Sequence, residues 1–276
     1  MYRAHWGLRE APFRGHLDPR FFYQSPTHEE ALARLHFLVE ENHRLGLLLG
    51  ESGAGKSLVL EVFSREFRRG SGQLANLSLL GVDAHELLWM MAADFGLSPS
   101  RSDDTFRLWR SISDRLTENR YQQVNTLLLL DDADEATSEV CDQITRLIQA
   151  DSLAHGRLIV VLASTVERAG RLGQRLLQLT DLRIDLDAWQ EEDIDGFITD
   201  ALAQAGRRQA TFDHEAIVRL RQLTGGVPRR VTKLANLALL AGAGRRLTKI
   251  DAVTVEAAHH ELGVAAAGVP ANSIAS

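Results

Sequence analysis

One cysteine, Cys141, is all that this chain of 276 residues contains. That excludes an internal disulfide and any metal site built on clustered thiolates, and it fits a reducing compartment. No apolar run approaches the ~18 residues that a membrane-spanning helix needs, so no transmembrane segment is expected. Residues 1–20 mix Arg, His, Trp and Pro and lack the layout of a signal peptide, which makes the cytoplasm the expected location. An excess of positive charge is missing as well. The formal net charge is -6 and the pI about 5.9, which excludes a chain-wide nucleic-acid binder. There is no internal repeat, and the only compositionally biased stretch is 263–276, rich in Ala, Gly, Val, Pro and Ser, which is expected to be a flexible tail.

What is present is a hydrophobic content of 45%, enough for one full core and a second, smaller one. Thr27 with Glu30 has the spacing of a capping box and predicts a helix to about residue 42. Short apolar runs at 45–49, 126–130, 157–163 and 182–186, with a further candidate at 73–80, predict strands buried on both faces. Helical patterns separate them: one to about residue 69, one opened by Asp83 with Glu86, one over 103–119 and one over 167–178. Such alternation means βαβ units and a doubly wound parallel sheet of five strands. After Trp189 the strand signals stop, and 191–205, 213–224, 228–241 and 251–262 all read as helices. The expected organisation is an N-terminal arm and helix over 1–43, an α/β core over 44–189, an all-helical lid over 190–262 and the tail.

The strand at 45–49 runs into Gly50-Glu51-Ser52-Gly53-Ala54-Gly55-Lys56-Ser57, and a helical pattern begins with Leu58. This is a complete Walker A motif with a strand before it and a helix after it. Its glycines let the backbone curl so that several N–H groups face one anion, and the helix N-terminus adds its dipole. Lys56 is expected to reach the β- and γ-phosphates of ATP, with the Ser57 hydroxyl on Mg²⁺ and the whole stretch from Gly50 to Leu58 lining the nucleotide. The run at 127–130 ends in Asp131-Asp132, a Walker B pattern that puts a carboxylate at the end of a buried strand. Asp131 is expected to hold the metal and Asp132 to orient the attacking water. Asp132 is one methylene shorter than the Glu common there, and a general base must come within ~3 Å of its water. Asp134 and Glu135 read as caps of the next helix.

With both motifs and the lid in place, the chain resembles an AAA+ ATPase and, more narrowly, the ExeA family, also called general secretion pathway protein A. The resemblance rests on three further stretches. The first comprises His5-Trp6-Gly7-Leu8, Ala11-Pro12-Phe13, Asp18-Pro19-Arg20-Phe21-Phe22-Tyr23 and Ser25-Pro26-Thr27-His28-Glu29-Glu30-Ala31-Leu32. The others are Gln174-Arg175 and Gly225-Gly226-Val227-Pro228-Arg229-Arg230. Together they cover roughly residues 2 to 262. The resemblance implies that Thr165 is a sensor reaching the γ-phosphate or the water, the alternative being an ordinary helix cap. It implies that Arg175 is an arginine finger acting in a neighbouring subunit, with Arg171, on the same predicted helical face, as runner-up. Arg229 matches a lid sensor of nucleotide, against a plain surface role. Phe21, Phe22 and Tyr23 are open to two readings, walling the adenine or packing the arm. Members of the family usually carry Asp-Glu-Ala-Gln where this chain has Asp131-Asp132-Ala133-Asp134. An Asp-Asp pair also occurs in bacterial replication-initiator ATPases, which hydrolyse slowly and act as switches, so slow turnover is expected. Secretion-type members continue into a transmembrane helix and a periplasmic peptidoglycan-binding domain, and neither is expected here.

Charge is unevenly spread. Between 206 and 250 lie Arg207, Arg208, Arg219, Arg221, Arg229, Arg230, Lys233, Arg245, Arg246 and Lys249, against Asp213 and Glu215 alone. This basic lid could face DNA or a membrane, or dock on acidic residues of a second copy such as Asp181, Asp185, Asp187, Glu191, Glu192, Asp193 and Asp195. Docking is the favoured reading. Three function classes follow: an oligomeric switch or motor acting on a protein partner (a membrane, secretion or pilus component among the candidates), a DNA-associated ATPase resembling transposition helpers, and a nucleotide-binding scaffold without hydrolysis.

Overall fold

The computed structural model describes residues 2–13, 19, 22–151 and 156–267, with side chains through 262. In chain order the elements are α1 (Tyr2–Trp6), α2 (Pro26–Glu40), β1 (Leu45–Gly50), α3 (Lys56–Phe67), β2 (Gln73–Ser78), α4 (Ala84–Asp94), α5 (Thr105–Tyr121) and β3 (Thr126–Asp131). Then follow α6 (Ser138–Ala150), β4 (Leu158–Ser164), α7 (Gly173–Gln178), β5 (Leu182–Leu186), α8 (Glu191–Gln204), α9 (His214–Thr224), α10 (Pro228–Gly244) and α11 (Ala252–Ala267).

The chain divides into two compact units, Pro26–Asp187 and the combination of Met1–Ser25 with Ala188–Ser276. The first is a parallel five-stranded sheet in the order β2-β3-β4-β1-β5. β1, β3 and β4 are inner strands and almost wholly apolar, because both of their faces are covered. Side chains alternate across the pleat. Leu45, Leu47, Leu49, Leu128, Leu130, Val160 and Leu162 join the core formed with α4–α7. Leu48, Leu127, Leu129, Ile159 and Val161 fall on the opposite pleat, the side of α2 and α3, and are equally buried. β5 is an edge strand and alternates buried with exposed, its Arg183 and Asp185 paired with each other on the open side.

Asp83 caps α4 as expected: its carboxylate accepts from His85 and Glu86 N–H at 2.8 Å, and Glu86 accepts from the Asp83 N–H at 3.1 Å. Two other cap readings are corrected. α2 opens at Pro26, which already has the φ of a first helical residue, and the Thr27 hydroxyl accepts instead from the Asp187 N–H at 3.0 Å. α6 is capped by Thr137, whereas Asp134 and Glu135 lie in a separate 3-10 turn, Ala133–Glu135.

The second unit packs the arm with four helices, α8 to α11. Trp6 is 1% exposed and its Nε1 donates to the Leu239 carbonyl at 2.9 Å, with Leu8 and Phe13 in the same cluster as Trp189, Ile198, Leu234 and Ile250. The stretch 1–43, read as one segment, therefore parts at Ser25, because the large apolar side chains of residues 2–13 are buried among the lid helices and those of α2 against the sheet. Tyr23 sets its ring edge-on to Trp189 and Phe197, and a side chain at Gly196 would meet its hydroxyl at 2.2 Å. Tyr23 thus packs the arm. Phe21 lies outside the described residues, as do Asp18 and Arg20. α11 runs past Gly263 to Ala267, since the alanines there favour helix, and the rest of the stretch read as a tail, 268–276, lies outside the described residues. No helix among the described residues is long and apolar enough to cross a membrane.

Candidate functional site

The sheet order sets three carboxyl ends side by side, those of β3, β4 and β1. At the end of β1 the chain leaves through Gly50 and turns at Gly53 (φ 93°) and Gly55 (φ 104°), conformations that an L side chain adopts only under strain. A Cβ on Gly55 would also lie 2.7 Å from Nε2 of His28. That imidazole is buried on α2 beneath the loop, with Nε2 3.0 Å from the Ala54 carbonyl oxygen. His28 was not singled out as a site residue from the sequence, because nothing local in the pattern brings α2 under the loop. Lys56 opens α3 and donates to the carbonyls of Gly50 and Glu51 at 2.8 and 3.1 Å, so its ammonium is folded over the loop. The first N–H groups of this 12-residue helix have no helical partner and carry the positive end of its dipole, a cradle suited to an anion.

Ser57, one residue on, stands near enough to Asp131 at the end of β3 to act on its carboxyl. Burial pushes the Asp131 carboxyl above the usual carboxylate range, while the neighbouring Ser57 side chain and the bond from the Asp132 N–H (2.9 Å) pull against it. A hydroxyl and a half-buried carboxylate at the foot of an anion cradle are two hard oxygen donors. They fit a small divalent cation that keeps water and phosphate for its other positions. Among the described residues no cluster of three or more His, Cys, Asp or Glu offers a separate metal site.

Asp132 stands in the left-handed region (φ 52°, ψ 38°) and its Oδ2 accepts from the Ser78 hydroxyl at 3.0 Å. Register explains the contact, because Ser78 at the end of β2 pairs with Asp131. Thr165 follows β4, whose Ser164 pairs with Leu49 just before the loop. Its hydroxyl donates to Asp134 Oδ2 at 2.8 Å. Local sequence could not reveal this bond, since its partners are 31 residues apart. Arg168 bonds Glu135 and stands 4.0 Å from the Asp134 carboxylate.

The structure therefore gathers residues 50–58, Asp131, Asp132 and Thr165 along one edge of the sheet. Arg175 is exposed on α7 and makes no ion pair among the described residues. Arg171 does not share its helical face. Gly173 (φ 80°, ψ 153°) breaks the predicted helix 167–178 into a 3-10 turn, Ala169–Leu172, and α7. Arg229 belongs to the other unit, exposed in the first turn of α10 behind Pro228. Two of the basic residues between 206 and 250 are engaged within that unit. Arg207 donates to the Trp6 carbonyl and lies over its ring, and Arg219 pairs with Glu256. Of the acidic residues, Asp181 accepts from Arg44 and Leu45 N–H, and Asp193 from Gln190 N–H.

Residues 39–172 match the AAA domain family. Over 266 residues, 95% of this chain, the sequence is 28% identical to general secretion pathway protein A of Aeromonas hydrophila, and it spans 48% of that protein's length. Among solved structures the fold is similar to that of Cdc6p from Pyrobaculum aerophilum (TM-score 0.67, 15% identity, 94% of this chain and 74% of that one). It is similar also to the Drosophila ORC bound to DNA (TM-score 0.68, 14% identity, 92% and 64%) and the Thermotoga maritima RuvB branch-migration motor (TM-score 0.59, 15% identity, 92% and 74%). The phosphate loop and Asp131 both lie inside the matched AAA segment, and segment, relative and fold agree on what the chain is similar to: the ExeA-like AAA+ P-loop ATPases.

Proposed function

We propose that the chain binds MgATP at residues 50–58 and hydrolyses it slowly, as an oligomeric switch acting on a protein partner. The observation that carries this reading is the placement of Asp131, at the carboxyl end of β3, beside Lys56 and Ser57 at the start of α3, which brings the two motifs together at one edge of the sheet. The loop N–H groups and Lys56 hold the phosphates. Ser57 and Asp131 would hold Mg²⁺, which when bound neutralises charge on the β- and γ-phosphates. Asp132 takes the proton of the attacking water, and its engagement with Ser78 suits a slow enzyme. Arg175 completes the site of a neighbouring copy, and Arg229 reports nucleotide to the lid. The name of the Aeromonas relative makes a component of a secretion machinery the first partner class to try.

The test is turnover and binding by the wild type against Lys56→Ala. ATP at ~100 times its dissociation constant should stabilise the wild type by about 2.7 kcal/mol. With about 2.1 cal/mol/K of unfolding entropy per residue, that raises the melting temperature by roughly 5 °C. Lys56→Ala should show neither the shift nor phosphate release. An equal shift in the variant would remove the assignment.

A further inference from the structure

We infer that Thr165 faces the site as a hydrogen-bond acceptor, so that it orients the attacking water rather than the γ-phosphate, and that Asp134 is the residue positioning it. This rests on the ATPase reading above. The hydroxyl of Thr165 donates to Asp134 Oδ2 at 2.8 Å, and the Thr165 N–H faces Oδ1 of the same carboxylate at 3.4 Å. An ionised carboxylate only accepts, so the single hydroxyl proton is committed to Asp134. What Thr165 retains is lone pairs. An ionised phosphate oxygen is itself an acceptor and gains nothing from them, whereas a water molecule can donate to them.

The bracket around this bond is firm. Asp134 is 4% exposed, and a carboxylate that deep needs the partners it has: the hydroxyl, the N–H and, 4.0 Å away, the Arg168 guanidinium. Arg168 is held in turn by Glu135 and by its own N–H to the Thr165 carbonyl at 3.3 Å. The turn that carries Asp134 also bonds back to the proposed base, Glu135 N–H to the Asp132 carbonyl at 2.9 Å. The two groups that would handle the water are thus fixed by one short turn. An amide at position 134 would change the chemistry without changing the shape, because its NH₂ can donate to the hydroxyl and release the hydroxyl proton toward the nucleotide.

The experiment compares full-length wild type with Thr165→Val, Thr165→Ser, Asp134→Asn and the Asp134→Asn/Thr165→Val double variant. Three quantities are read: kcat and KM for ATP, affinity for a non-hydrolysable ATP analogue relative to ADP, and urea unfolding without nucleotide. Thr165→Val and Asp134→Asn should each lower kcat about tenfold, the worth of one hydrogen bond in the rate. The preference for analogue over ADP should stay within about twofold, since no bond to the γ-phosphate is lost. Thr165→Ser, which retains the hydroxyl, should recover most of the kcat that Thr165→Val loses. The double variant should be no slower than the slower single variant, and the same non-additivity should appear in unfolding. A lost analogue preference at unchanged kcat would show a hydroxyl that donates to phosphate and would overturn the inference. Multiplying effects in the double variant would overturn Asp134 as the positioning residue. Should Thr165→Val not fold, Asp134→Asn and Thr165→Ser decide the same question. Wild-type turnover no greater than that of Lys56→Ala would defeat the ATPase reading and this inference with it, whereas normal wild-type turnover with uncoupled variants defeats this inference alone.

Discussion

Replacing Asp132 by asparagine should leave nucleotide binding intact and remove most of the turnover. The structure makes this substitution unusually clean. Residue 132 sits at φ 52°, ψ 38°, and Asn tolerates the left-handed region as readily as Asp does. The Asn oxygen can still accept from the Ser78 hydroxyl, so the end of β2 keeps its contact. What disappears is the capacity to take up a proton. General-base assistance contributes about 10²–10⁴ in rate, or roughly 2.7–5.4 kcal/mol of barrier. Stability should move by no more than about 0.5 kcal/mol, as expected of a substitution that leaves packing alone. Asp132→Glu should behave differently on both counts. The extra methylene extends the reach, so turnover should equal or exceed the wild type. The left-handed backbone, however, now carries a residue that disfavours it, at a cost on the order of 1 kcal/mol in unfolding. The assay is single-turnover phosphate release at saturating ATP, beside urea unfolding of each protein. Undiminished release by Asp132→Asn would refute the reasoning and move the base to Glu135, whose carboxylate is at present engaged by Arg168.

Two other outcomes are expected, the first of them from the proposed role of Arg175. Arg175→Ala should bind ATP normally but hydrolyse it about 10³–10⁵ times more slowly, and mixing it with Lys56→Ala should restore part of the rate, since a mixed interface can pair an intact loop with an intact finger; turnover per subunit that stays flat on dilution to monomer would contradict the trans arrangement. Asp251 caps α11, and the Thr254 hydroxyl, followed by the Thr254 N–H, holds its carboxyl below the usual range, so its contribution is present above pH ~4 and fades as the pH falls through the lowered value. Asp251→Ala should therefore cost about 1 kcal/mol in urea unfolding at pH 7, with the gap to wild type closing below pH 4; a gap that persists in acid would mean the carboxylate is not the cap.

How far these features could be read from residues alone depended on whether their cause was local. The strands at 45–49, 126–130 and 157–163 were legible because an inner parallel strand must be apolar on both faces, and few other structures ask for that. The loop from Gly50 to Ser57 was legible because its glycines, lysine and hydroxyl act through spacing along the chain. Arg171 and Arg175 were wrongly set on one helical face, because Gly173 takes a conformation that spacing does not announce. Asp134 was taken for a cap because acids before a helix usually are, whereas its real partner arrives from the next strand. Likewise, the sequence joins Trp6 and Phe13 to α2 in one N-terminal segment, since the helices that bury them come some 200 residues later.

That last separation has a consequence for how the molecule is made. Trp6 bonds to Leu239 across 233 positions, and between the two parts of their unit runs the whole of Pro26–Asp187. During synthesis at about 5–20 residues per second, the sheet is complete well before α10 has been translated. Trp6 and Phe13 must therefore wait for helices that are translated some 200 residues after them. Within Pro26–Asp187 the Asp187 N–H bonds to Thr27 at 3.0 Å, so a folded sheet brings its own two ends together and shortens the effective loop that the segments on either side have to close.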